Sequence, residues 1–210
     1  GLIGIGRPWG HISTQVPEER EVIAFLQAAY NLCIHYFDTA ASYGKSEERL
    51  GKFLALLSAQ ERKKLIIATK FGDHWDKKTQ DAYVDHSYNA LKKSLDRSLS
   101  LLKQIDLLYL HKAHLQALQN PDVAKAFDYA KSQGITHFGA SISDIESAKF
   151  VLSNDFYSVI QIPYNIANTT FSDIIDEATK KEKIVVINRP FNMGKNANDK
   201  VEAFKYEQGQ

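Results

Sequence analysis

Seven short apolar runs punctuate this chain, and longer segments of helical period separate them. The runs are Leu2–Ile5, Ile34–Asp38, Leu65–Lys70, Ile105–Leu110, Thr136–Ala140, Ser158–Ile162 and Ile184–Arg189. Each is too short for a helix and is rich in aliphatic or β-branched residues, so each reads as a buried strand. Between them, Leu50, Phe53, Leu54 and Leu57 recur at i, i+3, i+4 and i+7, and Leu91, Leu95, Leu99 and Leu102 hold a similar stripe. Ala124, Phe127 and Ala130 mark a helix after Pro121, a residue suited to a first turn. Ile145, Ala148, Val151 and Leu152 mark another after Asp144, a natural N-cap. Strand and helix alternate without a long antiparallel stretch, which predicts an α/β fold on a parallel sheet.

An open doubly wound sheet and a closed barrel share that alternation, and the polar residues separate them. Asp38, Lys70, His111, Ser141, Gln161 and Arg189 lie at or just past the carboxyl ends of six successive runs. A barrel gathers such ends on one rim, whereas an open sheet spreads them along a line too long for one substrate. The expectation is therefore a (β/α)8 barrel, with residues 1–210 forming one domain.

With 210 residues, 44% of them hydrophobic, the chain can bury one sizeable core. A formal net charge of +1 argues against nucleic acid or a membrane surface as partner. The longest apolar runs, LIIAT and KIVVI, fall far short of the ~20 residues that cross a bilayer, and no signal peptide is recognised. Cys33 is the only cysteine, which fits a cytoplasmic protein, and its place between Leu32 and Ile34 predicts a small buried hydrophobe. His111 and His114 have no carboxylate or thiolate at metal-ligand spacing, so no metal is expected. Gly4, Gly6 and Gly10 do not have the spacing of a dinucleotide fingerprint.

A carboxylate, a phenol, an amine and an imidazole on one rim suggest proton transfer to a carbonyl. Reducing an aldehyde or ketone needs a hydride on carbon and a proton on oxygen. Tyr43 is the candidate proton donor. A lysine ammonium ~4 Å from its hydroxyl, at an effective dielectric of ~20, favours the phenolate by roughly 4 kcal/mol, about three pKa units before desolvation opposes it. Lys70 could supply that charge, Asp38 could hold Lys70 in place, and His111 could hydrogen-bond the carbonyl oxygen. Each residue also has a plainer role. Asp38 could cap the following loop, Tyr43 could lie on the rim, Lys70 could extend its ammonium to solvent, and His111 could be a structural imidazole. Trp9 and Trp75 could line a substrate pocket or simply close the barrel mouth.

The segments FDTAASYGKSEERLG, IATKFG, SLSLLKQIDLLYLHK, GITHFGAS and VIQIPYNI resemble the aldo-keto reductase family in order and interval, over most of the chain. The resemblance implies a TIM-type barrel that binds a nicotinamide cofactor across its carboxyl rim, NADP(H) ahead of NAD(H). It also implies a small-molecule carbonyl substrate and, by default, a monomer. Ser141 and Gln161 match positions that hydrogen-bond the nicotinamide carboxamide, although relatives often carry Asn where this chain has Ile142. Asn188 or Arg189 takes the region that carries a stacking aromatic in many relatives. Arg189 could stack there or meet the pyrophosphate, as could Lys195 and the backbone near Gly194. Seven strands leave the barrel one short, with Val201–Tyr206 expected to begin a further helix, and the family's basic stretch for a 2′-phosphate is not among these residues. Two other readings are a non-catalytic regulatory subunit and a Schiff-base enzyme that uses Lys70 as nucleophile.

Overall fold

The computed structural model describes residues 1–10, 15–193 and 195. Its strands are β1 Tyr36–Asp38, β2 Ile66–Phe71, β3 Asp73–Asp76, β4 Asp81–Val84, β5 Leu107–Leu110, β6 His137–Ser141, β7 Val159–Pro163 and β8 Ile184–Asn188. Its helices are α1 Glu19–Asn31, α2 Ser46–Ala55, α3 Ala59–Arg62, α4 Tyr88–Leu102, α5 Leu115–Leu118, α6 Pro121–Ser132, α7 Ile145–Ser153 and α8 Ser172–Lys180. Six strands form one parallel sheet in the order β1-β2-β5-β6-β7-β8. Parallel neighbours require crossovers, and helices supply them, giving the curled wall of a (β/α)8 barrel. No helix among the described residues is long and apolar enough to cross a membrane.

Local chemistry starts and orients the helices. The carboxylate of Asp144 accepts the backbone N–H of Ser147 at 2.8 Å, and the Asn120 side chain accepts that of Asp122 at 2.9 Å, directly before Pro121. Leu91, Leu95 and Leu102 of α4 and Leu50, Phe53 and Leu54 of α2 are fully buried, so both leucine stripes face the sheet. The α6 stripe holds at Phe127 and Ala130 and differs from expectation at Ala124. Val123, Ala126, Phe127 and Ala130 are buried while Ala124 is exposed. Phe127 then anchors an aromatic cluster under the sheet, with ring centroids 5.0 Å from Phe71, 5.2 Å from Phe138 and 5.1 Å from Phe156.

Side chains alternate between the two faces of a strand, which assigns the opposite, inner face. Ala68, Leu107, Tyr109 and Val159 pack there, with Tyr36 and Val186 against them. Two positions further along each strand the same face carries Asp38, Lys70, Gln161 and Asn188, with Ser141 beside Gln161 in register. The interior floor is apolar and its carboxyl rim is polar.

Three expectations need correction. The first run is not a strand, because Ile3–Ile5 forms a 3-10 turn in which Gly6 N–H donates to Ile3 O at 3.0 Å. A Cβ on Gly6 would lie 1.8 Å from the Tyr43 carbonyl oxygen, so only glycine lets this turn dock on the backbone there. Ser46 Oγ, Arg49 and Lys45 N–H then take the carbonyls of Leu2, Ile5 and Gly6, in place of a neighbouring strand. Next, β3 and β4 form an antiparallel hairpin after β2 that the apolar pattern did not announce. An aspartate turn closes it, with Asp76 accepting from Lys78 N–H at 2.7 Å. Finally, Cys33 is exposed, because it takes the left-handed conformation (φ 61°) that ends α1 and turns its side chain away from the core.

Gly51 of α2 packs against α4, where an added Cβ would lie 2.2 Å from the Leu101 carbonyl oxygen. Overpacking costs about 1–3 kcal/mol and exceeds the ~1 kcal/mol that alanine gains inside a helix. Gly51→Ala is therefore expected to lower the urea midpoint with a net loss of up to about 2 kcal/mol. An unchanged or raised midpoint would show that the two helices are free to separate.

Candidate active site

Lys70 organises the rim. Its side chain has no solvent exposure, and its ammonium donates to Asp38 Oδ1 at 2.5 Å, Thr39 O at 2.9 Å and Tyr43 Oη at 3.3 Å. Those contacts match the three donors of an ammonium. Register places the partners. Asp38 pairs with Ala68, two residues before Lys70 and on the same face, and Lys70 pairs with Tyr109 of β5. The Tyr109 hydroxyl is 2.9 Å from that of Tyr36 and closes the floor beneath the ammonium.

Tyr43 comes from the loop between β1 and α2. Ala41 N–H donates to Lys70 O at 3.1 Å, and Gly44 takes a left-handed turn (φ 62°) directly after the tyrosine. A Cβ on Gly44 would lie 2.4 Å from Gly6 O, so this turn and the N-terminal one fit only as glycine against glycine. His111 follows β5, where its N–H donates to Phe71 O at 2.8 Å. Its ring stands edge-on to Tyr43 with centroids 5.9 Å apart. Its Nδ1 lies 3.4 Å from Ser42 Oγ and 3.5 Å from Asp73 Oδ2.

The charges settle against one another. Burial opposes the ammonium of Lys70, but the negative charge of Asp38 and the nearby Tyr43 oxygen overcome it and raise the pKa above the ordinary lysine value. A lysine held charged has no lone pair to attack a carbonyl, which argues against Lys70 as a Schiff-base nucleophile. Tyr43 departs from the sequence-based expectation. Burial lifts its pKa, Lys70 pulls it down, and Asp38 lifts it again, so the net shift is upward and the phenol stays protonated. Burial, followed by the positive charges of Lys70, Lys112 and Arg7, holds His111 well below the usual imidazole range, so it is neutral at pH 7.

Farther round the rim, Ser141 is half-buried and Gln161 is buried, directly opposite each other on β6 and β7, and neither side chain hydrogen-bonds a described residue. At the end of β8, Asn188 Oδ1 is a buried acceptor with no donor among the described residues. Three polar side chains without partners among the described residues, in successive positions of one rim, fit a ligand rich in amide and hydroxyl groups. Arg189 and Lys195 are exposed, and Gly194 and Val201–Tyr206 lie outside the described residues. Ile142 is buried in the core and its N–H donates to Gln161 O at 2.8 Å, so its side chain offers nothing to the rim. Trp9 and Trp75 meet across Arg7, whose guanidinium carbon is 5.9 Å and 5.0 Å from their ring centroids. Sequence reasoning overlooked Ser42, Asp73 and Arg7. Ser42 and Asp73 stand one residue before Tyr43 and three after Lys70, and that proximity to the candidate residues was the available signal.

The model of the Aldo/keto reductase family matches residues 1–209. L-galactose dehydrogenase of Arabidopsis thaliana is 27% identical over 205 residues, covering 91% of this chain and 62% of that protein. An uncharacterised oxidoreductase of Bacillus subtilis is 32% identical over 126 residues, 58% of this chain and 39% of that one. A solved structure of a Pseudomonas aeruginosa protein assigned to the aldo-keto reductases superposes with a TM-score of 0.76 at 28% identity, covering 89% of this chain and 70% of that chain. The chain thus spans less than two thirds of the length of either of these two curated relatives.

Asp38→Asn strands a buried ammonium and is expected to lower the unfolding free energy by about 3–5 kcal/mol, read by urea denaturation at pH 7. Because the folded pKa of Lys70 is raised, the pair's stabilisation is fully present below the ordinary lysine value of ~10.4 and is lost as pH climbs through the raised one. In the parent Lys70 stays charged over that range, whereas in Asp38→Asn the unpaired buried ammonium loses the charge that raised its pKa and sheds its proton as pH rises, so the gap between parent and variant should narrow from pH 6 to pH 9. A gap that does not change over that range would show that the ammonium is not held by Asp38 in a buried site.

The opposite sign applies to His111. Its folded pKa lies below the unfolded value of ~6.5, so the unfolded chain binds the extra proton and stability falls as pH drops below that value. Each such histidine contributes a slope of up to ~1.4 kcal/mol per pH unit, and His86, also depressed mainly by burial, contributes a second. His111→Gln should reduce the slope measured between pH 6.5 and 5.5, and an unaltered slope would mean that His111 is already charged in the folded protein.

Proposed function

Because the chain belongs to the aldo/keto reductase family, we propose that it is a nicotinamide-dependent oxidoreductase that reduces an aldehyde or ketone to its alcohol, or catalyses the reverse. The observation that carries this reading is the buried Lys70 ammonium bridging Asp38 and Tyr43, with the tyrosine as the partly exposed member of the three. Tyr43 gives its hydroxyl proton to the carbonyl oxygen as negative charge develops there. Lys70, fixed by Asp38, faces the phenolate that is left behind. An alkoxide is a stronger base than a phenolate, so the raised pKa of Tyr43 does not hinder donation. It does disfavour the reverse direction, in which Tyr43 must start as a base.

His111, neutral at pH 7, offers a ring N–H to the same carbonyl oxygen. When Ser42 Oγ–H donates to Nδ1, the remaining proton sits on Nε2, which becomes the donor. A bound nicotinamide supplies the hydride. Ser141 and Gln161 would hold its carboxamide, with Asn188 beside them. Arg189, Lys195 and the backbone near Gly194 are the candidates for its pyrophosphate, and NADP(H) is the preferred form. Trp9 and Trp75 form flat apolar walls for the substrate.

The test uses the full-length protein, with tryptophan fluorescence to measure NADPH and NADH binding and cofactor oxidation followed over a panel of aldehydes. Tyr43→Phe should lower kcat by about 10²–10⁴-fold while leaving cofactor affinity nearly unchanged. Failure of the parent to bind either cofactor would overturn the reading, and loss of binding and turnover together in the variant would reassign Tyr43.

A further inference from the structure

Arg7 is a cation that the proposed chemistry does not use. Its neighbour Gly6 lies directly against the Tyr43 backbone, and its own Cβ is 3.2 Å from the position a Cβ on Gly44 would take. The side chain therefore starts beside the proposed proton donor. From there its guanidinium lies between Trp9 and Trp75. Trp75 stands two residues beyond Asp73, whose carboxylate is 3.5 Å from His111 Nδ1, and the charge of Arg7 is among those that depress His111.

Arg7 differs from Arg49 and Arg62 in what it bonds. Arg49 donates to Ile5 O and Arg62 to Leu102 O, each fastening one segment to another. No carboxylate or carbonyl among the described residues accepts from Arg7, and its Nε is a buried donor without a partner. A buried N–H left unmade costs free energy that a structural arginine would recover from an acceptor. The indole rings attract the guanidinium and leave its fork of N–H donors for an oxyanion, carboxylate or phosphate.

We propose that Arg7, clamped by Trp9 and Trp75 at the mouth of the site, is a substrate-binding residue that selects carbonyl compounds carrying a carboxylate or phosphate group. The proposal rests on the reductase reading of Tyr43 for the carbonyl end, while the oxyanion site itself stands on Arg7 and its two walls. A guanidinium–oxyanion pair in a partly desolvated pocket is bidentate and charge-assisted, so its removal falls mainly on the anionic member of a matched pair of substrates.

Two measurements on the full-length protein test it. The tryptophans of these 210 residues are Trp9 and Trp75, so the part of the emission response that is lost in Trp9→Phe and in Trp75→Phe reports on the Arg7 clamp. Succinate and inorganic phosphate, titrated separately, should each be compared with uncharged succinamide. At least one anion should change the emission saturably, the tighter one naming the preferred group, with no response in Arg7→Met and a partial one in Arg7→Lys. In turnover, the preference for succinic semialdehyde or glyceraldehyde 3-phosphate over butyraldehyde or glyceraldehyde, as a ratio of kcat/KM, should fall about 10- to 100-fold in Arg7→Met and recover in part in Arg7→Lys. Turnover of aldehydes without that preference in the parent, or with a preference that Arg7→Met leaves intact, would overturn the anion site and leave the reductase reading standing. A saturable anion response without turnover of any aldehyde would support the anion site and sink the reductase reading. Absence of both would overturn both.

Discussion

An ammonium with no solvent contact, that of Lys70, is the constraint on which the rest of the site depends. Desolvating such a charge costs several kcal/mol, and only a close carboxylate and well-placed acceptors offset it. Asp38 and the Thr39 carbonyl therefore have to stand where they do, which fixes β1 beside β2 in one register. The third N–H points at Tyr43, so the loop between β1 and α2 has to fold back over the sheet. Two glycines make that possible. Gly6 and Gly44 let two turns approach more closely than any side chain would allow.

The same buried charge assigns the protons. Lys70 is held positive, Tyr43 is kept protonated by its burial and by Asp38, and His111 is kept neutral by burial and surrounding cations. A neutral phenol and a neutral imidazole beside one fixed cation form a set that donates hydrogen bonds and can give up one proton. That inventory suits an oxygen gaining negative charge. The opposite end of the rim is different in kind, since Ser141, Gln161 and Asn188 carry no charge and present hydrogen-bonding groups. One sheet thus carries ionisable side chains over β1, β2 and β5 and uncharged hydrogen-bonding side chains over β6 to β8.

Most of this framework was legible in the residues. Six of the seven apolar runs are parallel strands, because a run of four to six aliphatic residues between helical stripes has few other ways to be buried. The seventh, Leu2–Ile5, has the same composition but folds as a turn, since glycines at positions 4 and 6 and the waiting donors of Ser46, Arg49 and Lys45 replace strand pairing. The β3–β4 hairpin was missed because Asp73, His74 and Asp76 do not make an apolar run, and β4 is largely exposed. Cys33 was misjudged because a left-handed residue at the end of α1 reverses the direction of its side chain, which periodicity cannot see.

By itself, the sequence determined the parallel α/β class, the leucine faces of α2 and α4, and the placement of Asp38, Lys70, Ser141 and Gln161 at the carboxyl ends of their strands. These follow from the periods of 2 and 3.6, which are local properties of the backbone. Only the tertiary structure decided that Tyr43 stays protonated, that His111 is neutral, and that Arg7 lies over two tryptophan rings without an acceptor among the described residues. Burial and summed charge depend on every element packed around a group, and residues 7, 9 and 75 meet through a fold that joins chain segments far apart in sequence. No window of sequence contains that information.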